Sequence, residues 1–384
     1  MKIKVIAFLL IIFSFISFGE VKTSYADSLS DTINEQIENI DLSKLEEYFN
    51  SLENLPKNVD FFSCINQMLK GEYDLNFNSI FEYVFNVFFT NVKSCLPTFA
   101  IIIAIAIFCG IMQKIKCNFM SEGITEIIFF VCMLTVIVLL ANKIIDIWNI
   151  AKNIIKNIAK LTEIMSPIIL SLMVASGGNV SAKVYKPTVA FLSNGIINIF
   201  LSIIMPLIAI MIIFNVISRF SPSLKLEKFS EVSSSLIKWL IGIIVTIFGL
   251  FLSIQGLTSA TYDGVSIRAT KYALSNSIPI VGGFIKDGFD LVVAGSVLIK
   301  NVIGIASVFG LFYLIISPII YIATFSLLLK LVSAIVNTIG DSKISLFCDS
   351  MSKCISFISA SIIAVGFMLF ITILLITFSA NSLI

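Results

Sequence analysis

Long runs of apolar residues constrain this chain more than any other feature. A helix needs about 20 apolar residues to cross a bilayer, and the composition supports crossing, because 58% of the residues are hydrophobic and 13% charged, against about 45–50% and 25% in soluble domains. We therefore predict an all-α, polytopic integral membrane helical bundle of about seven spans. The predicted spans are 96–113, 124–142, 188–217, 236–257, 291–316, 318–338 and 355–378.

The N-terminal region differs from the rest in charge. Residues 1–26 read as a signal peptide with Ala26 as the cleavage candidate, the alternative being an uncleaved anchor. Residues 27–95 contain 12 acidic residues and 4 lysines, and a segment without a positive excess belongs outside the membrane. We predict a small extracytoplasmic helical segment at 27–95 and a multi-spanning domain at 96–384.

Basic residues between the spans suggest a topology. Lys114 and the 219–238 region are predicted to be cytoplasmic. The 143–187, 258–290 and 339–354 connections then lie outside, and the C-terminus lies inside. The 166–175 stretch is too short to cross alone and is predicted to be re-entrant or interfacial.

The region 143–163 is predicted to form an amphipathic helix. Its apolar residues recur at helical spacing, and asparagines, lysines and acids occupy the opposite face. An in-plane interfacial helix has this pattern. A helix that packs on neighbouring spans has it too, and the two interpretations are equally favoured.

Glycines and prolines suggest helix packing and helix breaks. Gly242, Gly249 and Gly256 recur every seven residues, which predicts a helix–helix seam, more readily within the chain than between subunits. Helix breaks are predicted at Pro206, Pro279, Pro318, Gly177–Gly178 and Gly282–Gly283. Such breaks can indicate an autonomous secondary transporter or permease, but proline kinks without that role are common and are favoured here, because no convergent carboxylate accompanies the breaks and no internal repeat is evident. The charges within apolar stretches, Lys300 and Lys330, lie where their side chains can snorkel to an interface.

The residue inventory argues against enzymatic function. The chain contains no histidine, so neither a Ser-His-Asp triad nor a histidine-based metal site can form. No nucleotide-binding loop or paired acid–base carboxylates occur, and the scattered basic residues do not predict nucleic-acid binding. We predict no enzyme activity and no cofactor. Cys64 and Cys95 are a possible disulfide if the outside is oxidising.

The segment 255–304 is the most distinctive part of the chain. It contains the patterns QG-x-TS, DG-x-x-x-R and IP-x-VGG-x-x-x-D, followed by LIKN-x-x-G. This segment closely resembles the signature region of the stage III sporulation protein AE family of endospore-forming bacteria. Its candidate residues of unknown role are Asp263, Gly264, Arg268, Pro279, Gly282, Gly283 and Lys300.

The resemblance implies a role without catalysis. Proteins similar to this one belong to an operon-encoded set of stage III sporulation membrane proteins in the mother-cell (outer forespore) membrane. They act with the forespore stage II sporulation protein Q in a channel or secretion-like complex that supports forespore development and late forespore sigma-factor activity. The implied partners are those proteins and the lipid bilayer.

Overall fold

The computed structural model describes residues 43–51, 65, 67–69, 77–119, 122–220, 226–277, 282–339 and 342–379, and nearly all of these are helical. Six long helices in these ranges are apolar enough to cross a membrane. The all-α prediction is confirmed, and six spans agree with the expected number of about seven. We label the helices α1 (Ser43–Asn50), α2 (Phe77–Phe119), α3 (Glu122–Ala175), α4 (Asn179–Phe220), α5 (Glu227–Ser277), α6 (Gly282–Ile339) and α7 (Ser342–Phe378).

The long helices alternate in direction, so their termini gather at two ends of the bundle. At the first end, Phe130 of α3 packs on Phe220 of α4, with 5.3 Å between the ring centroids. Arg219 Nη2 donates a hydrogen bond to Ser350 Oγ of α7 at 3.3 Å. At the second end, the start of α4 meets the last turn of α7. These contacts define which segments share a side of the bundle.

The predicted spans 291–316 and 318–338 form one helix, because α6 continues through Pro318. Proline is tolerated inside membrane helices, where neighbouring helices satisfy the carbonyl group that it leaves free. Merging these spans reverses the end of the predicted topology. The 339–354 region lies beside Arg219, so the prediction that it lies on the other side of the membrane from Arg219 is wrong. The prediction that the C-terminus lies on the same side as Arg219 is wrong for the same reason.

Helices α6 and α7 form the most closely packed pair. A Cβ atom on Gly304 would lie 2.0 Å from Thr377 Oγ1, and one on Gly366 would lie 2.4 Å from Ile315 Cδ1. Lower in the seam, Ser326 Oγ donates to the Ser352 carbonyl at 3.0 Å, and Ser352 Oγ donates to the Ser326 carbonyl at 2.8 Å. Small residues let helix backbones approach closely when lipid provides no hydrophobic force between them.

The predicted amphipathic helix lies in the middle of α3. One of its faces is buried against the rest of the protein, and it includes Ile147, Ala151, Ile155 and Ile158. Helix α3 continues without a break to Ala175, so the 166–175 stretch extends the same helix and does not form a separate re-entrant element. The opposite, polar face of α3 is exposed.

Helix α1 packs between α3 and α6. Tyr48 donates a hydrogen bond through its hydroxyl group to the Asn157 carbonyl at 2.8 Å, and the neighbouring Phe49 ring lies directly over Gly310. Lys160 lies 5.5 Å above the Tyr48 ring. Burial raises the pKa of Tyr48 above its ordinary value, because the charged phenolate loses its hydration there.

Helix α4 changes its winding and does not break at the predicted proline. It contains π-helical segments at Phe191–Ile196 and Phe200–Ile204, and Pro206 follows the second of them. Proline has no N–H group and crowds the preceding turn. A wider π-helical turn before it lets the helix continue.

The predicted glycine seam on α5 does not form within the chain. Open space surrounds the Cβ positions of Gly242 and Gly249, so the intrachain interpretation is wrong for both residues. A regular spacing of glycines shows which face of a helix carries small residues, but it does not show which helix, if any, packs against that face. The alternative, a contact between subunits, stays a prediction.

Candidate functional site

A tight turn joins α3 to α4 at the second end of the bundle. Gly178 N donates to the Met173 carbonyl at 2.8 Å and Gly177 N donates to the Val174 carbonyl at 2.9 Å. Gly177 has a φ of 89°, which a residue with a side chain rarely adopts. A Cβ atom there would also lie 2.4 Å from Ile267 Cδ1. The signature segment on α5 therefore packs directly against this turn.

Asp263 holds the first turn of α4. It is fully buried, and its two carboxylate oxygens accept hydrogen bonds from different backbone groups. Val180 N donates to Oδ1 at 2.8 Å and Ser181 N donates to Oδ2 at 3.0 Å. These N–H groups have no partners inside the helix, and the positive end of the helix dipole favours a carboxylate at this position. Asp263 thus fastens α5 to the start of α4.

Lys300 brings α6 and the end of α7 to the same place. Its side chain is fully buried, and its Nζ donates a hydrogen bond to the carbonyl group of Ser379. Asp263 provides the opposite charge near Lys300. Ser379 Oγ donates a hydrogen bond to Ser181 Oγ at 3.3 Å. We call Asp263, Lys300, Val180, Ser181 and Ser379 the Asp263–Lys300 cluster.

The cluster is suited to holding helices in place. A buried charge is stable only when it is paired and hydrogen-bonded, and here each charged group has both a polar partner and an opposite charge nearby. The carboxylate accepts two backbone hydrogen bonds and the ammonium group binds a carbonyl oxygen. These bonds connect α4, α5, α6 and the residue that follows α7. The arrangement therefore fixes four helix segments relative to one another.

The structure brings together two of the predicted site residues, Asp263 and Lys300. The prediction that Lys300 snorkels to an interface is wrong, because other helices bury its whole side chain. The expectation that no carboxylate accompanies the glycine break is also wrong, because Asp263 hydrogen-bonds the turn that follows Gly177–Gly178. The groups that Asp263 and Lys300 contact come from segments distant in the sequence, so the local sequence pattern does not indicate these contacts.

The other predicted residues lie outside this cluster. Gly264 follows Asp263 on α5, and Arg268 is exposed further along the same helix. Gly282 and Gly283 begin α6, and Gly256 lies within α5. Pro279 and Ala26 lie outside the described residues, as do the predicted signal peptide and most of the 27–95 segment.

A second acid–lysine pair joins α5 to α6 at a point further from the cluster. Lys271 Nζ of α5 lies 2.8 Å from Asp290 Oδ1 of α6, and both side chains are partly exposed. Solvent weakens such a pair. Between α5 and α6, Asp263 and Lys300 are therefore buried opposite charges near one another, whereas Lys271 and Asp290 form a partly exposed ion pair.

Sequence reasoning missed Ser181, Ser379 and the role of Gly177. Ser181 lies near the start of α4, where a polar residue after two glycines is a recognisable signal for a helix N-terminus. No comparable signal marks Ser379, because Lys300 binds its backbone carbonyl group, which every residue type has. Position in the fold alone brings this carbonyl to Lys300.

The described residues contain no group of acids or cysteines that could hold a metal ion. Cys95, one half of the predicted disulfide, is a buried free thiol. Its proposed partner Cys64 lies outside the described ranges.

The similarity to known proteins covers most of the chain and not only the 255–304 segment. The family model described as stage III sporulation protein AE matches residues 59–380, a range that contains all six long helices. The stage III sporulation protein AE of Bacillus subtilis (strain 168) is 28% identical over 303 residues, which cover 79% of this chain and 75% of that protein. No solved structure matches. This multi-pass membrane protein belongs to the stage III sporulation protein AE family.

Proposed function

We propose that this protein is the polytopic membrane component of a channel or secretion-like complex that links the mother cell and the forespore. The observation that carries the proposal is the family match over residues 59–380. In this proposal the protein resides in the outer forespore membrane. Its partners are the other stage III operon membrane proteins and, through them, the forespore stage II sporulation protein Q.

The Asp263–Lys300 cluster supports a scaffold role for the membrane domain. The cluster uses its charges to hold α4, α5, α6 and the end of α7 together. We propose on the same grounds that the chain is not an enzyme and that forespore development depends on its assembly with partners.

A deletion strain tests the proposal directly. The gene is removed from the native spore-forming host, and a late forespore sigma-factor reporter is followed by microscopy after engulfment. We expect small, collapsing forespores with a dark reporter and a loss of heat-resistant spores, restored by the intact gene. Full-sized, bright forespores in the deletion strain would reject the role and favour an autonomous transporter.

A further inference from the structure

One helix of the bundle has a continuous, exposed polar face, which α1 touches at Lys160. Its residues all lie on α3, all are exposed and follow one another at spacings of three and four. They span about 32 Å at 1.5 Å per residue, close to the bilayer core thickness of about 30 Å. We call them the α3 polar face: Asn142, Asp146, Asn149, Asn153, Lys156, Lys160 and Glu163.

The antiparallel helices α3 and α4 define the depth of this face. Glu163 precedes their connecting turn by about as many residues as Phe191 follows it, so the two residues lie at similar depth along the bundle. Phe191 in turn packs against Phe251 of α5, with 6.5 Å between the ring centroids. Glu163 and Phe251 therefore lie at a similar distance from the second end.

At this depth, α5 presents a strongly apolar outer surface. Ile247, Leu250 and Ile254 are 59%, 61% and 64% exposed. In a protein that crosses a membrane, large apolar side chains with this exposure are stable against lipid. The hydrocarbon region therefore reaches at least this far along the bundle, and the polar face of α3 lies level with it.

Contacts through α1 give the same depth for the middle of the polar face. Tyr48 binds the Asn157 carbonyl, and Phe49 lies against Gly310 of α6. Helix α6 has no charged residue from 301 to 329, and Gly310 lies within that stretch. Asn157, which neighbours the polar face on α3, is therefore level with an uncharged section of α6.

A face of this composition is unstable against lipid. A charged side chain near the centre of the bilayer is strongly unfavourable, and the face includes Asp146, Lys156, Lys160 and Glu163. Lysines near an end can extend toward the interface, but the short side chains of Asp146, Asn149 and Asn153 cannot. Ionisable residues at such depth commonly face a water-filled cavity.

We propose that the α3 polar face lines a water-filled passage through the membrane. Its exposed side is in contact with water and hydrated solutes, while the buried side of the same helix section packs against the bundle. The inference deepens the proposed function, on which it rests, because it assigns the lining of the conduit to one helix.

Cysteine labelling tests the proposal at matched depths on two helices. Asn149→Cys and Asn153→Cys on α3 are compared with Leu250→Cys and Ile254→Cys on α5, each in the full chain in membranes from sporulating cells. The probe is a charged, membrane-impermeant maleimide. Thiols react as thiolates, which form in water and not in hydrocarbon. We expect the α3 positions to react at least tenfold faster than the α5 positions.

The unaltered chain measures background labelling from its own cysteines, of which Cys95, Cys109, Cys132, Cys348 and Cys354 are buried. Labelling in detergent after denaturation confirms that every variant carries its added thiol. Equal, fast labelling on both helices would place this depth outside the bilayer and overturn the proposal. Slow labelling of both would show that lipid or protein covers the α3 polar face, and would overturn it as well.

Spore counts keep this test separate from the test of the proposed function. A deletion strain that forms normal heat-resistant spores would reject the sporulation role while leaving the labelling pattern to stand by itself. Loss of spores together with an unlabelled α3 polar face would reject only the passage.

Discussion

Helices α5 and α7 cross the same bundle but are attached to it in different ways. In the most apolar stretch of α7, 67% of the residues are buried, whereas the value for α5 is 17%. Helix α7 lies along α6 through glycine contacts and paired serines. Helix α5 buries fewer apolar side chains, among them Ile237, Phe248 and Leu252, exposes many others, and is also joined to its neighbours at separate polar positions.

The polar positions of α5 are spread along its length. Near the first end, Asn215 Nδ2 of α4 donates to Ser230 Oγ at 2.9 Å. Further along, Thr188 Oγ1 of α4 donates to Gln255 Oε1, and Asp263 then accepts two bonds from the start of α4. Continuous close packing thus supports α7, while sparser apolar packing and a few polar links hold α5.

The largest effect should come from breaking the buried link at Asp263. Replacing Asp263 with Ala leaves Lys300 without its opposite charge and removes the acceptor of two backbone N–H groups. Removing one partner of a buried charge pair costs about 3–5 kcal/mol. We expect Asp263→Ala to lower the thermal midpoint of the detergent-solubilised protein sharply and to reduce heat-resistant spores. Fluorescence size-exclusion after heating measures the midpoint.

Asp290→Ala is the matched control for this variant. It breaks the other acid–lysine pair between α5 and α6, whose side chains are partly exposed, and exposed pairs contribute about 0–1 kcal/mol. The double variant Asp263→Asn, Lys300→Met should recover part of the loss, because no unpaired charge stays buried. Equal midpoints for Asp263→Ala and Asp290→Ala would contradict the assigned role of Asp263.

The next largest effect concerns the α6–α7 seam. In Gly304→Ala the added methyl group would lie 2.0 Å from Thr377 Oγ1 and 2.8 Å from Thr377 Cβ, so a change of rotamer cannot relieve the contact. Overpacking of this kind costs about 1–3 kcal/mol. We expect a lower thermal midpoint, measured in the same assay, and partial recovery when Thr377→Ala is added.

The same substitution on α5 should have the opposite sign. Gly249→Ala places its methyl group in open space, and alanine is favoured over glycine in a helix by about 1 kcal/mol. We expect an unchanged or slightly higher midpoint. A loss as large as that of Gly304→Ala would mean that α5 packs against a second subunit in detergent.

The sequence predicts the helices better than their neighbours. Hydropathy indicates the all-α bundle, and the 3.6-residue period indicates both faces of α3, since these depend on local composition. The glycines show the limit of this reasoning. Gly242 and Gly249 have the regular spacing, yet Gly304 and Gly366 make the close contacts, because contact depends on which helix lies opposite.

The candidate site also shows that local sequence does not reveal which distant residues are in contact. Lys300 stands out in the sequence as a charge in an apolar stretch and Asp263 as a residue of the 255–304 segment, and the structure places both in one cluster. Their hydrogen-bond partners are Val180, Ser181 and Ser379, which are remote in sequence. The Pro318 error is related, because neighbouring helices decide whether a proline ends a span or is accommodated within it.

The smallest effect should come from the serines of the α6–α7 seam. Ser326→Ala removes the hydroxyl group that contacts both Ser352 and Ser356, yet hydrogen bonds between membrane helices average only about 0.6 kcal/mol. We expect a slightly lower thermal midpoint, clearly smaller in effect than Gly304→Ala. Ser253→Ala is the control on α5, where the exposed hydroxyl bonds only the Gly249 carbonyl of its own helix, and it should change nothing.

The physical reason for this ranking is that serine hydroxyls have local alternatives. Ser356 Oγ already donates to the Ser352 carbonyl of its own helix at 2.8 Å, so a separated α7 keeps much of its hydrogen bonding. The close contact at Gly304 has no such substitute, because it exists only when α6 and α7 touch. A larger loss from Ser326→Ala than from Gly304→Ala would show that polar links hold α7 as they hold α5, and the contrast between the two helices would fail.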